Sequence, residues 1–155
     1  MAEHLRVARL FMLLLAIFAL GRWLQGTVAH VPYERGHQVF SIVTLTMLSS
    51  VYYGAFCRRW RGYRLAQAAV LGLLLGLMSQ VVIFAATFVS YALDVDSYFR
   101  APRALNVEAP IGMADAMLRR AGGLVANSIT SGIAGALGWA MGGLLPQQAP
   151  EKPHP

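Results

Sequence analysis

Two histidines and a glutamate, His30, Glu34 and His37, are the most compact group of side chains that could do metal or acid–base chemistry. On an unbroken helix their spacing would place them on one face, where they could hold a metal ion. Pro32 and Gly36 argue against an unbroken helix in this segment. We therefore interpret it as an interfacial loop, and we expect neither a metal nor a cofactor.

Other candidates for chemistry are isolated in the sequence. Cys57 is the single cysteine, and it adjoins Arg58 and Arg59, which could favour a thiolate. Its position is more typical of a plain residue at a helix end. Asp94 and Asp96 form a pair with no further calcium-ligand spacing. No phosphate-binding glycine loop and no nucleophile signature occurs. We expect a non-catalytic protein.

The composition points to a membrane. Of 155 residues, 57% are hydrophobic and only 13% are charged, whereas soluble domains carry about 25% charged residues. The net charge of +6 could suggest nucleic acid, but the basic residues lie between apolar blocks and form no continuous stripe. The lipid bilayer is therefore the expected partner, and nucleic acid is not.

Four apolar segments approach the roughly 20 residues that a helix needs to cross a bilayer. We therefore predict an all-α integral membrane protein: a four-transmembrane-helix bundle in one domain, residues 1–145, followed by a flexible tail, 146–155. The third segment is long enough to tilt or to project from the membrane. The predicted spans are 7–28, 39–57, 65–93 and 121–145.

The first segment has a second interpretation. Arg6 and Arg9 precede an apolar run that ends near Thr27 and Ala29, as in a cleavable signal peptide. The apolar stretch continues beyond a typical signal core, which favours an uncleaved anchor.

Basic residues predict the orientation of the bundle. The turn between the second and third spans holds Arg58, Arg59, Arg61 and Arg64. Under the positive-inside rule this basic anchor is cytoplasmic, and both termini lie on the same side. The same turn could also recruit anionic lipid headgroups. Aromatic residues fit this topology, with Trp60, Tyr63 and Trp139 near the inner interface and Trp23, Tyr33, Tyr91, Tyr98 and Phe99 near the outer one.

Small residues recur at every fourth position on the last two spans. Such rows allow close packing of helices in lipid. Two adjacent rows on the fourth span make a surface wider than one neighbour needs, so it packs either within the chain or against another protomer or protein. The helix-packing or partner-contact residues are Gly72, Gly76, Ala126, Thr130, Ala134, Gly138 and Gly142, and the adjacent row is Gly123, Asn127, Ser131 and Gly135.

Polar side chains also occur inside the predicted spans. Facing lipid they would be costly, so they should find partners. They could form a hydrogen-bond network between helices, or they could line a ligand pocket or a permeation path. The intramembrane polar residues are Ser50, Tyr53, Ser79, Gln80 and Asn127, with Thr46 and Ser49 in the same row as Ser50.

The loop from Asp94 to Arg120 is the largest segment outside the predicted spans. Near its end, Met113, Met117 and Leu118 form an apolar stripe beside charged residues. This pattern predicts a short interfacial helix before the last span. The stripe is also a candidate outer docking surface for another protein.

The favoured function is a non-catalytic small subunit or scaffold within a larger membrane assembly. Its partners would be other membrane subunits or copies of itself. One alternative is a homo-oligomeric channel or transporter for a small uncharged or weakly polar solute. A second is a membrane enzyme acting on lipids, for which His30, Glu34 and His37 are the compact candidates.

Overall fold

The structure, a computed structural model, describes residues 2–146, and the predicted tail beyond Pro146 lies outside the described residues. Within this range every regular element is a helix, and no strand occurs. Two short 3-10 helices lie at Pro102–Leu105 and Gly142–Leu144. The α-helices are α1 Ala2–Val7, α2 Arg9–Thr27, α3 Tyr33–Gly36, α4 Ile42–Arg61, α5 Leu65–Ala92 and α6 Met113–Met141.

Local sequence explains both ends of α4. The hydroxyl of Ser41 accepts a hydrogen bond from the backbone nitrogen of Thr44 at 3.3 Å, so the helix begins at Ile42 and not at the predicted position 39. At the other end Gly62 adopts a left-handed conformation with φ of 67°, which suits glycine because it has no Cβ. The helix therefore extends to Arg61, beyond the predicted end at 57.

The long helices alternate in direction, and α5 is the central one. It packs most extensively on α6 and also on α4, while α4 packs on α6. The beginning of α2, the turn between α4 and α5, and the end of α6 meet at one end of the bundle, which we call the turn end. The end of α2, α3, and the connection from α5 to α6 meet at the other, the loop end.

The apolar core lies around α5. Leu71, Leu75 and Ile83 of this helix are almost fully buried and pack with Phe11 of α2 and Phe99 of the loop end. By contrast α2 lies at the edge of the bundle, because only two of its residues, Phe11 and Leu15, are buried.

Three helical segments are long and apolar enough to cross a membrane: Arg9–Thr27, Leu65–Ala92 and Met113–Leu144. They are compatible with an integral membrane protein. Helix α4 has 20 residues but does not meet the same requirement. It carries hydroxyl side chains along its length and three arginines in its last turn. The structure therefore supports a helical bundle with three candidate spans, and α4 is not established as a fourth.

The predicted short interfacial helix is not a separate element. Residues Met113, Met117 and Leu118 form the first turns of α6, which continues without a break to Met141. No proline lies between Pro110 and Pro146, and a backbone that enters an apolar environment keeps its hydrogen bonds by remaining helical. The helix therefore begins eight residues before the predicted span 121–145, and Arg119 and Arg120 lie inside it.

Candidate functional site

A buried aromatic pair closes the loop end. Tyr98 and Phe99 follow α5 and are 3% and 1% exposed. The Tyr98 hydroxyl donates a hydrogen bond to the carbonyl oxygen of Val31 at 2.7 Å, and burial raises the pKa of this hydroxyl, which keeps it a neutral donor. The Trp23 ring lies 6.3 Å from the Phe99 ring. These contacts tie α2 and α3 to the chain that follows α5.

Arg22 of α2 lies among these aromatic rings. Its guanidinium donates to the carbonyl oxygen of His37 at 3.1 Å and to the Tyr33 hydroxyl at 3.3 Å. Its Cζ lies 5.5 to 5.7 Å from the ring centroids of Tyr33, Tyr98 and Phe99, a cation–π distance. Every one of these groups is neutral or weakly polar, so they orient the cation without neutralising it.

Arg120 of α6 approaches the same region from the opposite side. Its Nε donates to the Thr87 hydroxyl at 3.0 Å, and its Nη2 donates to the carbonyl oxygen of Phe99 at 3.0 Å. The ion pairs of the described residues are Arg100 with Asp94 and Arg103 with Glu34. Within this part of the chain, neither Arg22 nor Arg120 therefore contacts a carboxylate.

Both arginines line one cavity of about 140 Å³. His37, Ser41 and Tyr33 contribute the remaining polar side chains of its wall, and Ile42 and Ile83 contribute apolar surface. Among the residues that the structure describes, no Asp or Glu lines this cavity. It is therefore a small, largely apolar space with two guanidinium groups in its wall.

A larger cavity of about 430 Å³ adjoins the first and shares Arg120 and Tyr33 with it. It lies between α4, α5 and α6 and extends to the amides of Gln80 and Asn127. Gln80 is only 5% exposed, and within residues 2–146 its side-chain amide makes no hydrogen bond. We call the two cavities together the arginine–amide groove. This groove brings together Gln80 and Asn127, two of the five predicted intramembrane polar residues.

The other three are placed elsewhere. Ser79 and Thr46 share a hydrogen bond of 2.6 Å between their hydroxyl oxygens, which joins α5 to α4. Ser50 is 1% exposed and donates to the carbonyl oxygen of Thr46 on its own helix. Tyr53 is 7% exposed on the same helix. These hydroxyls lie within the helix packing, which favours a network role over the lining of an open path.

The histidine and glutamate trio does not assemble. His30 has a left-handed backbone with φ of 47°, which separates it from α3. Glu34 pairs with Arg103 at 3.5 Å, and the His37 ring stacks on Tyr33 with centroids 5.1 Å apart. Across residues 2–146 no group of three potential metal ligands occurs.

The small residues of α5 and α6 mostly face each other. A Cβ at Gly72 would overlap the carbonyl oxygen of Ser131, and a Cβ at Gly76 would lie 2.8 Å from the Cα of Ser128. On the other side of α6, a Cβ at Gly138 would overlap the carbonyl oxygen of Val51.

The predicted row on α6 divides into two halves. Ala134, Gly138 and Gly142 are buried, whereas Ala126 and Thr130 are exposed. Only the half of the row nearer the turn end is covered within the chain.

The candidate docking stripe is not one exposed surface. Leu118 is 74% exposed, whereas Met113 and Met117 are half-buried. They lie one turn apart on a face of α6 that differs from that of Leu118.

The four arginines of the basic anchor have two different environments. Arg58 donates to the carbonyl oxygens of Trp139 and Ala140, both at 2.9 Å, and Arg59 donates to that of Pro146 at 3.0 Å. Arg61 and Arg64 are exposed. Two of the four arginines therefore hold the end of α6 in place, and two are directed outward.

Sequence reasoning did not identify Arg22 and Arg120 as a pair. Arg22 lies within the first predicted span, 7–28, and Arg120 was assigned to the loop before the last span. Each was visible as a charge at the edge of an apolar run. Their convergence depends on the packing of α2 and α6 around Phe99, which spacing along the chain does not contain.

Comparison with known proteins gives no relative from which roles could be transferred: no protein-family model, no curated protein and no solved structure matches this chain.

Proposed function

We propose that this chain is a non-catalytic integral membrane protein that serves as a small subunit or scaffold of a larger membrane assembly. The partner in this proposal is a transmembrane helix of another protein. It packs on the half of α6 nearer the loop end, at Gly122, Ala126 and Thr130.

The observation that carries the proposal is the division of the small-residue row. Where Ala134 and Gly138 occur, α4 packs closely on α6. One and two turns earlier the same kind of surface, at Thr130 and Ala126, is exposed, and Ala126 borders the arginine–amide groove. A Cβ at Gly122 would meet nothing within 4 Å. Small residues on an outward face offer lipid little contact area, but they let a second helix approach closely.

Apolar side chains surround this face, which supports a partner within the membrane. They are far more exposed than is usual in a soluble protein, where extended apolar patches are rare. The exposed large apolar residues of α6 are Leu118, Val125, Ile129, Ile133, Leu137 and Met141.

The proposal includes α4 as a fourth span. The polar side chains Thr46 and Ser50 of this helix are 3% and 1% exposed, so within the bundle they are shielded from lipid. Helix α4 would therefore cross the membrane because α5 and α6 cover its polar side, although its own sequence is less apolar. With Arg61 and Arg64 directed outward, the turn end and both termini would lie in the cytoplasm.

Photo-crosslinking in the native membrane tests the proposed contact. A photoreactive residue at Thr130 should give one discrete adduct with a different protein. The matched control is Val70 on α5, which is 50% exposed and should give only lipid adducts. Adducts of Thr130 with this same chain would favour a homo-oligomer, and lipid adducts alone at both positions would contradict the proposed contact.

A further inference from the structure

We propose that the arginine–amide groove binds a phosphate-bearing ligand, with the phosphate between Arg22 and Arg120 and uncharged oxygen atoms of the ligand at Gln80 and Asn127. The inference goes beyond the proposed subunit role, because Arg22, Arg120 and Gln80 take no part in the proposed helix contact and are present in the isolated chain. Gly122 and Ala126 border both the groove and the proposed contact.

The charge balance of the groove points to an anion. Arg22 and Arg120 line one cavity of about 140 Å³, and their described partners are carbonyl oxygens, hydroxyls and aromatic rings. Two like charges in a partly buried space repel each other, and an anion between them would relieve that repulsion. Guanidinium groups bind phosphate and carboxylate oxygens through paired N–H donors.

The geometry of the arginines suits a preformed site. Arg120 uses Nε and Nη2 for bonds within the chain, which leaves Nη1 for a ligand. Arg22 is held over three aromatic rings and hydrogen-bonded to Tyr33 and the carbonyl oxygen of His37. Side chains already fixed by their neighbours lose little conformational entropy when a ligand binds.

Gln80 supplies an independent observation. It is 5% exposed, lines the groove, and within the described residues its amide makes no hydrogen bond. Its amide faces the groove, where a ligand could contact it. Asn127 lies near Gln80, because both amides are close to Gly123. A Cβ added at Gly123 would lie 3.6 Å from Nδ2 of Asn127 and 3.8 Å from Oε1 of Gln80. The two amides therefore offer a ligand both donors and acceptors.

The spacing of these groups defines the ligand further. Gln80 precedes Thr87, the partner of Arg120, by two helical turns of α5, or about 10 Å along the helix. A ligand that uses both regions has a phosphate at the loop end and uncharged polar oxygens, such as ester carbonyls, deeper in the bundle. A glycerophospholipid has this order of groups, and so does a soluble phosphate ester of similar length.

Native mass spectrometry of the purified chain in a phosphate-free, uncharged detergent tests the proposal. The probes are phosphatidylglycerol, its soluble headgroup glycerol phosphate, inorganic phosphate, and diacylglycerol as the control without phosphate. We expect phosphatidylglycerol or the soluble phosphates to bind and diacylglycerol not to bind. Binding of phosphatidylglycerol alone identifies a lipid ligand, and comparable binding of glycerol phosphate identifies a soluble one. Failure of all three phosphate-bearing probes to bind overturns the proposal.

Variants separate binding from folding. Arg22→Gln and Arg120→Gln should each weaken binding by about tenfold or more, since each removes charge-assisted hydrogen bonds. Arg35→Gln is the matched control, because Arg35 is exposed at the same end and lines neither cavity. Gln80→Leu should weaken binding, because it removes an amide that lines the groove, and the melting temperature of each ligand-free variant shows whether that variant folds. Equal binding by all three groove variants and Arg35→Gln overturns the proposal.

Discussion

Replacing Gly138 with alanine should lower the free energy of unfolding by about 1–3 kcal/mol, the usual cost of forcing an extra methyl group into a tightly packed contact. A Cβ at this position would overlap the carbonyl oxygen of Val51 on α4. Backbone atoms cannot move aside as a flexible side chain can, so α4 and α6 must separate. Reversible unfolding in mixed micelles, followed by circular dichroism, measures the change.

Gly54→Ala is a parallel test of the same contact, and Gly122→Ala is its control. A Cβ at Gly54 would overlap the carbonyl oxygen of Gly135, so Gly54→Ala should cost a similar amount. The two effects should not add fully in the double variant, since either one alone already separates the same helices. Gly122→Ala is the control: nothing lies within 4 Å of its Cβ position, and alanine favours a helix more than glycine does. Equal destabilisation by Gly122→Ala and Gly138→Ala would refute close packing at Gly138.

Replacing Arg58 with alanine should destabilise the turn end by about 2 kcal/mol, the typical worth of hydrogen bonds to a charged group. Its guanidinium donates to the carbonyl oxygens of Trp139 and Ala140 in the last turn of α6, where the helix dipole favours a cation. The Trp139 carbonyl also accepts from the backbone nitrogen of Gly142. The Cζ of Arg58 also lies 4.2 Å from the Trp139 ring centroid. The effect should appear in the unfolding free energy and as faster hydrogen exchange near the end of α6.

Arg61→Ala separates this specific role from a general loss of positive charge. Arg61 is exposed on the same helix, so Arg61→Ala should lower the free energy of unfolding by less than about 0.5 kcal/mol. Arg58→Lys should destabilise the chain more than Arg61→Ala and less than Arg58→Ala, because an ammonium group keeps the charge but lacks the planar set of donors. If Arg58→Ala and Arg61→Ala behave alike, the hydrogen bonds to α6 contribute nothing to stability.

The helical content and the presence of helices long and apolar enough to cross a membrane could be predicted, because apolar blocks of sufficient length leave few alternatives. The third predicted span, 65–93, agrees closely with α5, Leu65–Ala92, since a basic turn precedes it and Asp94 follows it. The start of α6 was misplaced because Arg119 and Arg120 were interpreted as an interfacial boundary. A charged residue can continue a helix when the fold supplies partners, as Thr87 and Phe99 do for Arg120.

The candidate site was predictable only in part. Gln80 and Asn127 were recognisable as polar residues in apolar segments, and the structure places both in one groove. The convergence of Arg22 with Arg120 was not predictable, because it depends on contacts between helices at opposite ends of the chain. The role of Arg58 was likewise hidden. A cluster of arginines indicates orientation, but it does not reveal which member contacts the end of another helix.

The mass and composition of the native particle test the central proposal most directly. The protein should be extracted gently from its own membrane, and the intact particle weighed by native mass spectrometry. The subunit role predicts a reproducible particle in which this chain and at least one different membrane protein occur in fixed stoichiometry. Replacement of Ala126 with phenylalanine should dissociate it. A particle that contains only this chain, as one copy or several, would contradict the subunit role.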